Sequence, residues 1–168
     1  MPQPARRTRW LDDSEQVSWR NFIHAVNHLT IALEADLAPH GLTNGDYAVL
    51  VLLSEADDER MRMCDLAAEL QLSPSGLTRR LDGLVRQGWV ERASCANDRR
   101  VTYAHLTPKG RRKMEAAAPD HVASVRSHLL DPLGPKGVDQ LGTLFAKVRT
   151  HQLAATDHDE SDGSRRAG

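Results

Sequence analysis

Ser75, Arg79, Asp82 and Arg86 fall within about 60° of one another if residues 74 to 87 form a helix with the usual 3.6-residue period. Gly76 and Thr78 flank that face, and Ser73-Pro74 precedes it with a capping hydroxyl and a proline at the first helical position. Small hydrogen-bonding residues and an arginine at the start of an exposed helix suit the major groove of a duplex. Bulk there would block approach, the helix amino end favours phosphate, and Arg79 has the fork that pairs with guanine. Arg80 points to the flank and is placed to meet phosphate rather than a base. A second group follows at Asn97-Asp98-Arg99-Arg100, where two guanidiniums crowd a polar loop between two short β-patterned runs. Such a finger fits a narrow, electronegative minor groove, with Asp98 expected to hold an arginine through a carboxylate–guanidinium pair. The alternatives are a solvated helix face and a hairpin turn whose charges only keep it soluble.

The elements that would position these groups are legible along the chain. Phe22, Val26, Leu29, Leu33 and Leu37 recur at helical spacing, predicting a helix over 12–38 that Pro39 and Gly41 end. Thr43 with Asp46 marks the start of a largely apolar helix over about 44–54. A very short strand at Arg60 to Met63, a short helix over about 64–71 and the capped helix from Pro74 to Gln87 follow. Gly88 stands where a left-handed residue closes a helix. Trp89 to Arg92 and Val101 to Leu106 read as a two-stranded ribbon. Leu77, Leu81, Leu84 and Val85 share one arc of the capped helix and are expected to pack on the core. Gly83, in mid-helix, costs about 1 kcal/mol relative to Ala, and close packing is one reason to tolerate it. Thr107-Pro108 opens a helix carrying Met114, Ala118, His121, Val122, Val125 and Leu129, and a last helix covers about 136–153.

Helix, short helix, tight turn, capped helix and ribbon, in that order, define a winged helix-turn-helix. The fold class is therefore mostly α with a small β-wing, in a chain of 168 residues. The expected organisation is a flexible N-terminus (1–9), a helical dimerisation region (10–41 and 108–153), a winged DNA-binding region (42–107) and a disordered polar tail (154–168).

Charge agrees with that division. The formal net charge of −1 is a sum of opposites. Residues 10–59 hold ten acids and one base, whereas residues 60–113 hold twelve bases and five acids. A basic block in an acidic frame points to a polyanionic partner. Composition also excludes several classes. No apolar run is long enough to span a bilayer, and no signal-type stretch follows the basic first ten residues. Two cysteines, Cys64 and Cys95, fit a reducing cytoplasm, which is the expected location. A Gly-rich phosphate loop, a nucleophile elbow and a paired CxxC are all missing, so an enzyme is not expected.

Residues 89 to 110, WVERASCANDRRVTYAHLTPKG, closely resemble the wing signature of the MarR family, an Asp-x-Arg tip leading to Leu-Thr-x-x-Gly. CDLAAELQLSPSGLTRRLDGLVRQGWV matches that family's helix-turn-helix, and the resemblance extends over roughly residues 10 to 153. It implies a homodimeric transcriptional regulator, commonly a repressor of a pseudo-palindromic operator, released by a small ligand or by oxidation. Carried over by position, Ser73, Ser75, Thr78 and Arg79 match recognition-helix contacts, and Asp98 with Arg100 match the wing. The family's ligands imply a pocket between the first two helices and the winged domain, for which Trp19, His24, His28 and Tyr47 are the candidates. His24 and His28 stand at i, i+4, a spacing open to a metal but equally to a partly buried or interface pair. No metal or other cofactor is expected. Two alternatives stay open: a winged-helix protein-interaction module, or a regulator triggered by metal or by oxidation of Cys64 or Cys95.

Overall fold

Local sequence chemistry sets the boundaries of the elements in the computed structural model, which describes residues 8–94, 98 and 100–165, from 153 onward as backbone only. Helix α1 (Asp13–Leu37) starts at a reciprocal capping box, in which Asp12 accepts from the Glu15 amide and Glu15 accepts from the Asp12 amide. A 3₁₀ turn over Ala38–His40 ends at Gly41, whose φ of 61° is open to glycine at no steric cost. Helix α2 (Asn44–Glu55) repeats the box with Thr43 and Asp46. A turn over Asp57–Glu59 leads into β1 (Arg60–Arg62), then α3 (Met63–Glu69) and α4 (Pro74–Arg86). Strands β2 (Val90–Ser94) and β3 (Thr102–Leu106) follow, then α5 (Pro108–Val125).

The ribbon gains a third strand. β1 pairs antiparallel with the free edge of β3, Met61 opposite Ala104, giving the order β1-β3-β2. A three-residue strand carries too little pattern to reveal its partner, so the sequence reading had the strand but not its place in the sheet. Pairing β1 to the wing ties the start of the helix-turn-helix to its end and covers one edge of β3.

The core of the unit Met1–Ser124 lies under α4. Leu37, Leu50, Leu53, Leu66, Leu77, Leu81 and Leu84 are fully buried, joined by Val90, Ala104 and Leu106 from the sheet. Val85 departs from expectation at 37% exposure. It stands about 80° round the helix from Leu77, at the margin of the apolar arc, and the core does not reach it. The aromatic side of α1 and the residues before it are open: Trp10, ahead of the helix, is 83% exposed and Trp19 on it 54%, with Val17, Phe22, Val26 and Ile31 also exposed.

The second unit, Val125–Gly168, contains a π turn over Arg126–Leu130 and α6 (Asp131–Arg165). Gly134 interrupts α6 with φ 64°, just before the start at about 136 that periodicity predicts. The helical backbone runs on through 154–165, a stretch with no apolar stripe to signal a helix in the sequence. Leu133, Leu144, Phe145 and Val148 are exposed on this unit. Among the described residues, no helix is long and apolar enough to cross a membrane.

Candidate nucleic-acid interface

Helix α4 is presented by its two ends. Gln71, in the left-handed region at φ 53°, turns the chain sharply between α3 and α4. Ser73 then caps α4, its Oγ accepting from the Gly76 amide at 3.1 Å and lying 3.2 Å from the Ser75 hydroxyl. The Thr78 hydroxyl donates to the Pro74 carbonyl at 2.8 Å, which holds its methyl and oxygen in one rotamer. At the other end Gly88, at φ 70°, lets the Trp89 amide reach back to the Leu84 carbonyl. With Leu77, Leu81 and Leu84 buried, Ser75, Thr78, Arg79, Asp82 and Arg86 are left in solvent.

The arginines of this region divide into two kinds. Arg79 and Arg86 have no hydrogen bond or ion pair among the described residues. Arg80 is committed inward, its Nη1 3.4 Å from the Thr43 hydroxyl and 3.5 Å from Asp46 Oδ1, with the guanidinium lying where a Cβ on Gly45 would sit. It anchors α4 to the start of α2 rather than extending free to a phosphate. Arg92 on β2 is tied as well: Nη1 donates to Asp82 Oδ1 at 2.8 Å and Nη2 to the Thr78 carbonyl at 3.0 Å. Composition gave no hint of this second pairing, because 10 and 14 residues separate the partners and only the return of β2 beneath α4 joins them.

At the wing, the Asp98 carboxylate accepts from the Arg100 backbone amide at 2.9 Å, and the Asp98 carbonyl accepts from the Val101 amide at 3.0 Å. These two bonds close a turn; among the described residues Asp98 forms no ion pair with the Arg100 guanidinium, and the expected pairing with the neighbouring Arg99 lies outside them. A short acidic side chain reaches its own backbone two residues on more readily than a flexible arginine head. Asn97, Arg99 and Cys95 lie outside the described residues. A groove of about 500 Å³ separates wing and helix, lined by Thr78, Arg92, Arg100, Arg62 and Cys64 among others. Arg62, which the sequence reading passed over as a contact, donates from Nε to the Tyr103 hydroxyl at 3.4 Å, and Arg60 stacks over the same ring at 5.4 Å.

The candidate effector residues are not gathered in one place. Trp19 lines two shallow recesses of about 340 and 460 Å³ on the first part of α1, and neither contains His24, His28 or Tyr47. His24 and His28 are both exposed on α1. Tyr47 is buried against His121, with ring centroids 4.4 Å apart. Burial there raises the tyrosine pKa and lowers that of the histidine. Cys64 is exposed, its thiol 3.4 Å from Asp65 Oδ1.

A sheet-edged helix-turn-helix with an outward, arginine-bearing second helix is a winged helix-turn-helix. A family model for the MarR family matches residues 40–101. The transcriptional repressor YetL of Bacillus subtilis is 31% identical over 126 residues, 73% of this chain and 74% of that protein. The crystal structure of AbsC, a MarR family transcriptional regulator from Streptomyces coelicolor, is 41% identical and superposes with a TM-score of 0.84 over 88% of this chain and 99% of that one. Sco3205 from the same organism, solved in complex with DNA, is 34% identical with a TM-score of 0.81, covering 84% and 90% of the two chains. The chain belongs to the MarR family of winged helix-turn-helix transcriptional regulators.

Proposed function

We propose that the protein is a homodimeric repressor that binds a pseudo-palindromic operator through α4 and the wing, and is released by a small-molecule effector. One observation carries the DNA-binding reading. Among the described residues Arg79 and Arg86 have no hydrogen bond or ion pair on the exposed face of α4, while Arg80 and Arg92 hold that helix in place. Free guanidiniums on a rigid support are what base and phosphate contact require. Ser73, Ser75, Gly76 and Thr78 supply the small polar surface beside them, and Asp98 and Arg100, with Asn97 and Arg99, form the second contact. Sco3205, similar in sequence and fold, has been solved bound to DNA, and YetL is a repressor.

The exposed apolar residues of α1 and those of α6 support pairing of two copies through residues 10–41 and 108–153, leaving 42–107 to meet the duplex. Two-fold symmetry then requires half-sites about one helical turn, ~34 Å, apart. The experiment is selection of bound duplexes from a random pool, repeated with a metabolite panel. A pseudo-palindrome is expected, with affinity falling steeply as salt rises. Arg79→Ala should relax the preference at one base position, at a cost of about 1–3 kcal/mol. Equal binding to all duplexes would overturn the reading.

A further inference from the structure

Asp82 is an anomaly on this surface: a carboxylate on the face of α4 that the proposed function turns toward a polyanion. Its side chain is half exposed, yet one oxygen is taken by Arg92 Nη1 at 2.8 Å. The other arm of the same guanidinium holds the Thr78 carbonyl at 3.0 Å, one turn nearer the amino end of the helix. A single planar fork therefore spans two successive turns of α4 from the strand that carries the wing. Thr78 and Asp82 stand on either side of Arg79 in the sequence, so the clamp brackets a residue whose guanidinium has no partner among the described residues.

We propose that Arg92 is a positioning residue for DNA recognition: it fixes the wing strand against α4 and neutralises Asp82, so that Arg79 and the wing meet the duplex together. This rests on the DNA-binding reading above. In this role Arg92 acts through Asp82 and the Thr78 carbonyl, not by touching phosphate. Removing it leaves an uncompensated carboxylate beside the DNA and loosens the ribbon. Replacing Asp82 as well removes the repulsion but not the looseness.

The test is a double-variant cycle measured on the selected operator and on the free protein. Arg92→Ala should weaken operator binding about tenfold, and Asp82→Asn combined with it should restore affinity to within about threefold of wild type, a coupling expected only for residues in contact. Asp82→Asn alone weakens one arm of the clamp while removing the repulsion, so it should weaken binding by no more than about threefold, and a tenfold loss would overturn the inference. The logarithmic salt slope should stay constant in all of them, whereas loss of a direct phosphate contact would reduce it by about one. In the free protein, amides of the paired residues Ala93, Ser94, Thr102 and Tyr103 should exchange faster in Arg92→Ala and in the double variant alike. Should Arg92→Ala not fold, Arg92→Lys keeps the charge but not the fork; it should retain affinity to within about threefold and still speed exchange. An Arg92→Ala affinity equal to wild type, no rescue by Asp82→Asn, a reduced salt slope or unchanged exchange would each overturn the inference. Wild-type protein without sequence preference would instead overturn the proposed function, and the exchange measurement on free protein would still decide the clamp.

Discussion

Gly110 sits at the point where α5 leaves the wing, and replacing it with alanine tests how that junction is built. A Cβ there would lie 2.0 Å from the Trp89 carbonyl oxygen and 2.9 Å from Leu106 Cδ1, against a contact floor of 3.0 Å. The nearest obstacle is backbone, so α5 has to retreat by about an ångström. That same carbonyl accepts from the Thr107 amide and the Thr107 hydroxyl, both at 3.1 Å, so retreat stretches two hydrogen bonds. Overpacking costs roughly 1–3 kcal/mol and each weakened bond about 1, while the helix-propensity gain of Gly→Ala returns at most about 1. The net is a loss of about 3 kcal/mol, or roughly 6–12 °C in Tm for a chain of this size. Gly83→Ala is the matched control: nothing lies within 4 Å of its Cβ position in α4, so only the propensity gain of up to about 1 kcal/mol remains. Thermal melts followed by circular dichroism at one fixed protein concentration read both. An alanine at position 110 that melts at or above wild type would refute the close-approach reasoning.

Ser73→Ala removes the acceptor for the Gly76 amide and should cost about 1 kcal/mol, measured by urea unfolding, with a larger effect on operator affinity if the hydroxyl also meets DNA. His121 gives a pH dependence whose sign is fixed. Burial holds its imidazole pKa below the usual value, so the unfolded chain takes up the proton first as pH falls. The stability it contributes is full above about pH 6.5 and is lost as pH drops through the folded value, and His121→Gln should flatten that slope in denaturation curves. Asp57→Asn thins the acidic frame and should raise affinity for random duplex at low salt while sparing Asp58 and Glu59, whose carboxylates are engaged by Arg60 and Arg111. No rise in random-duplex affinity would show that the acidic frame does not steer DNA.

The starts of α2, α4 and α5 were written locally. Thr43 with Asp46, Ser73 with Pro74 and Thr107 with Pro108 announce their helices because a cap bonds an amide two or three residues away. The buried face of α4 was legible for the same reason, since Leu77, Leu81 and Leu84 follow a fixed period. Val85 shows where that logic stops: periodicity gives an angle, and only the extent of the core decides whether that angle is covered. The bond from the Arg100 amide to Asp98 is local and of the kind a turn residue announces, whereas the path of an arginine head from the same loop is not contained in the sequence.

The sequence by itself determined the segregation of charge, the helix-turn-helix with its outward arginines, and the membership that the wing signature implies. It could do so because caps, helical periods and turn residues act over a few positions. What each arginine does was decided only in three dimensions. Arg79, Arg80, Arg86 and Arg92 are equivalent as letters and equally basic in composition. The packing of α4 against α2 gives Arg80 to Asp46, and the return of β2 gives Arg92 to Asp82, while Arg79 and Arg86 keep no such partner among the described residues. A guanidinium goes to the carboxylate that the fold brings within about 4 Å. That distance is a property of the assembled helices and sheet, not of the chain's order.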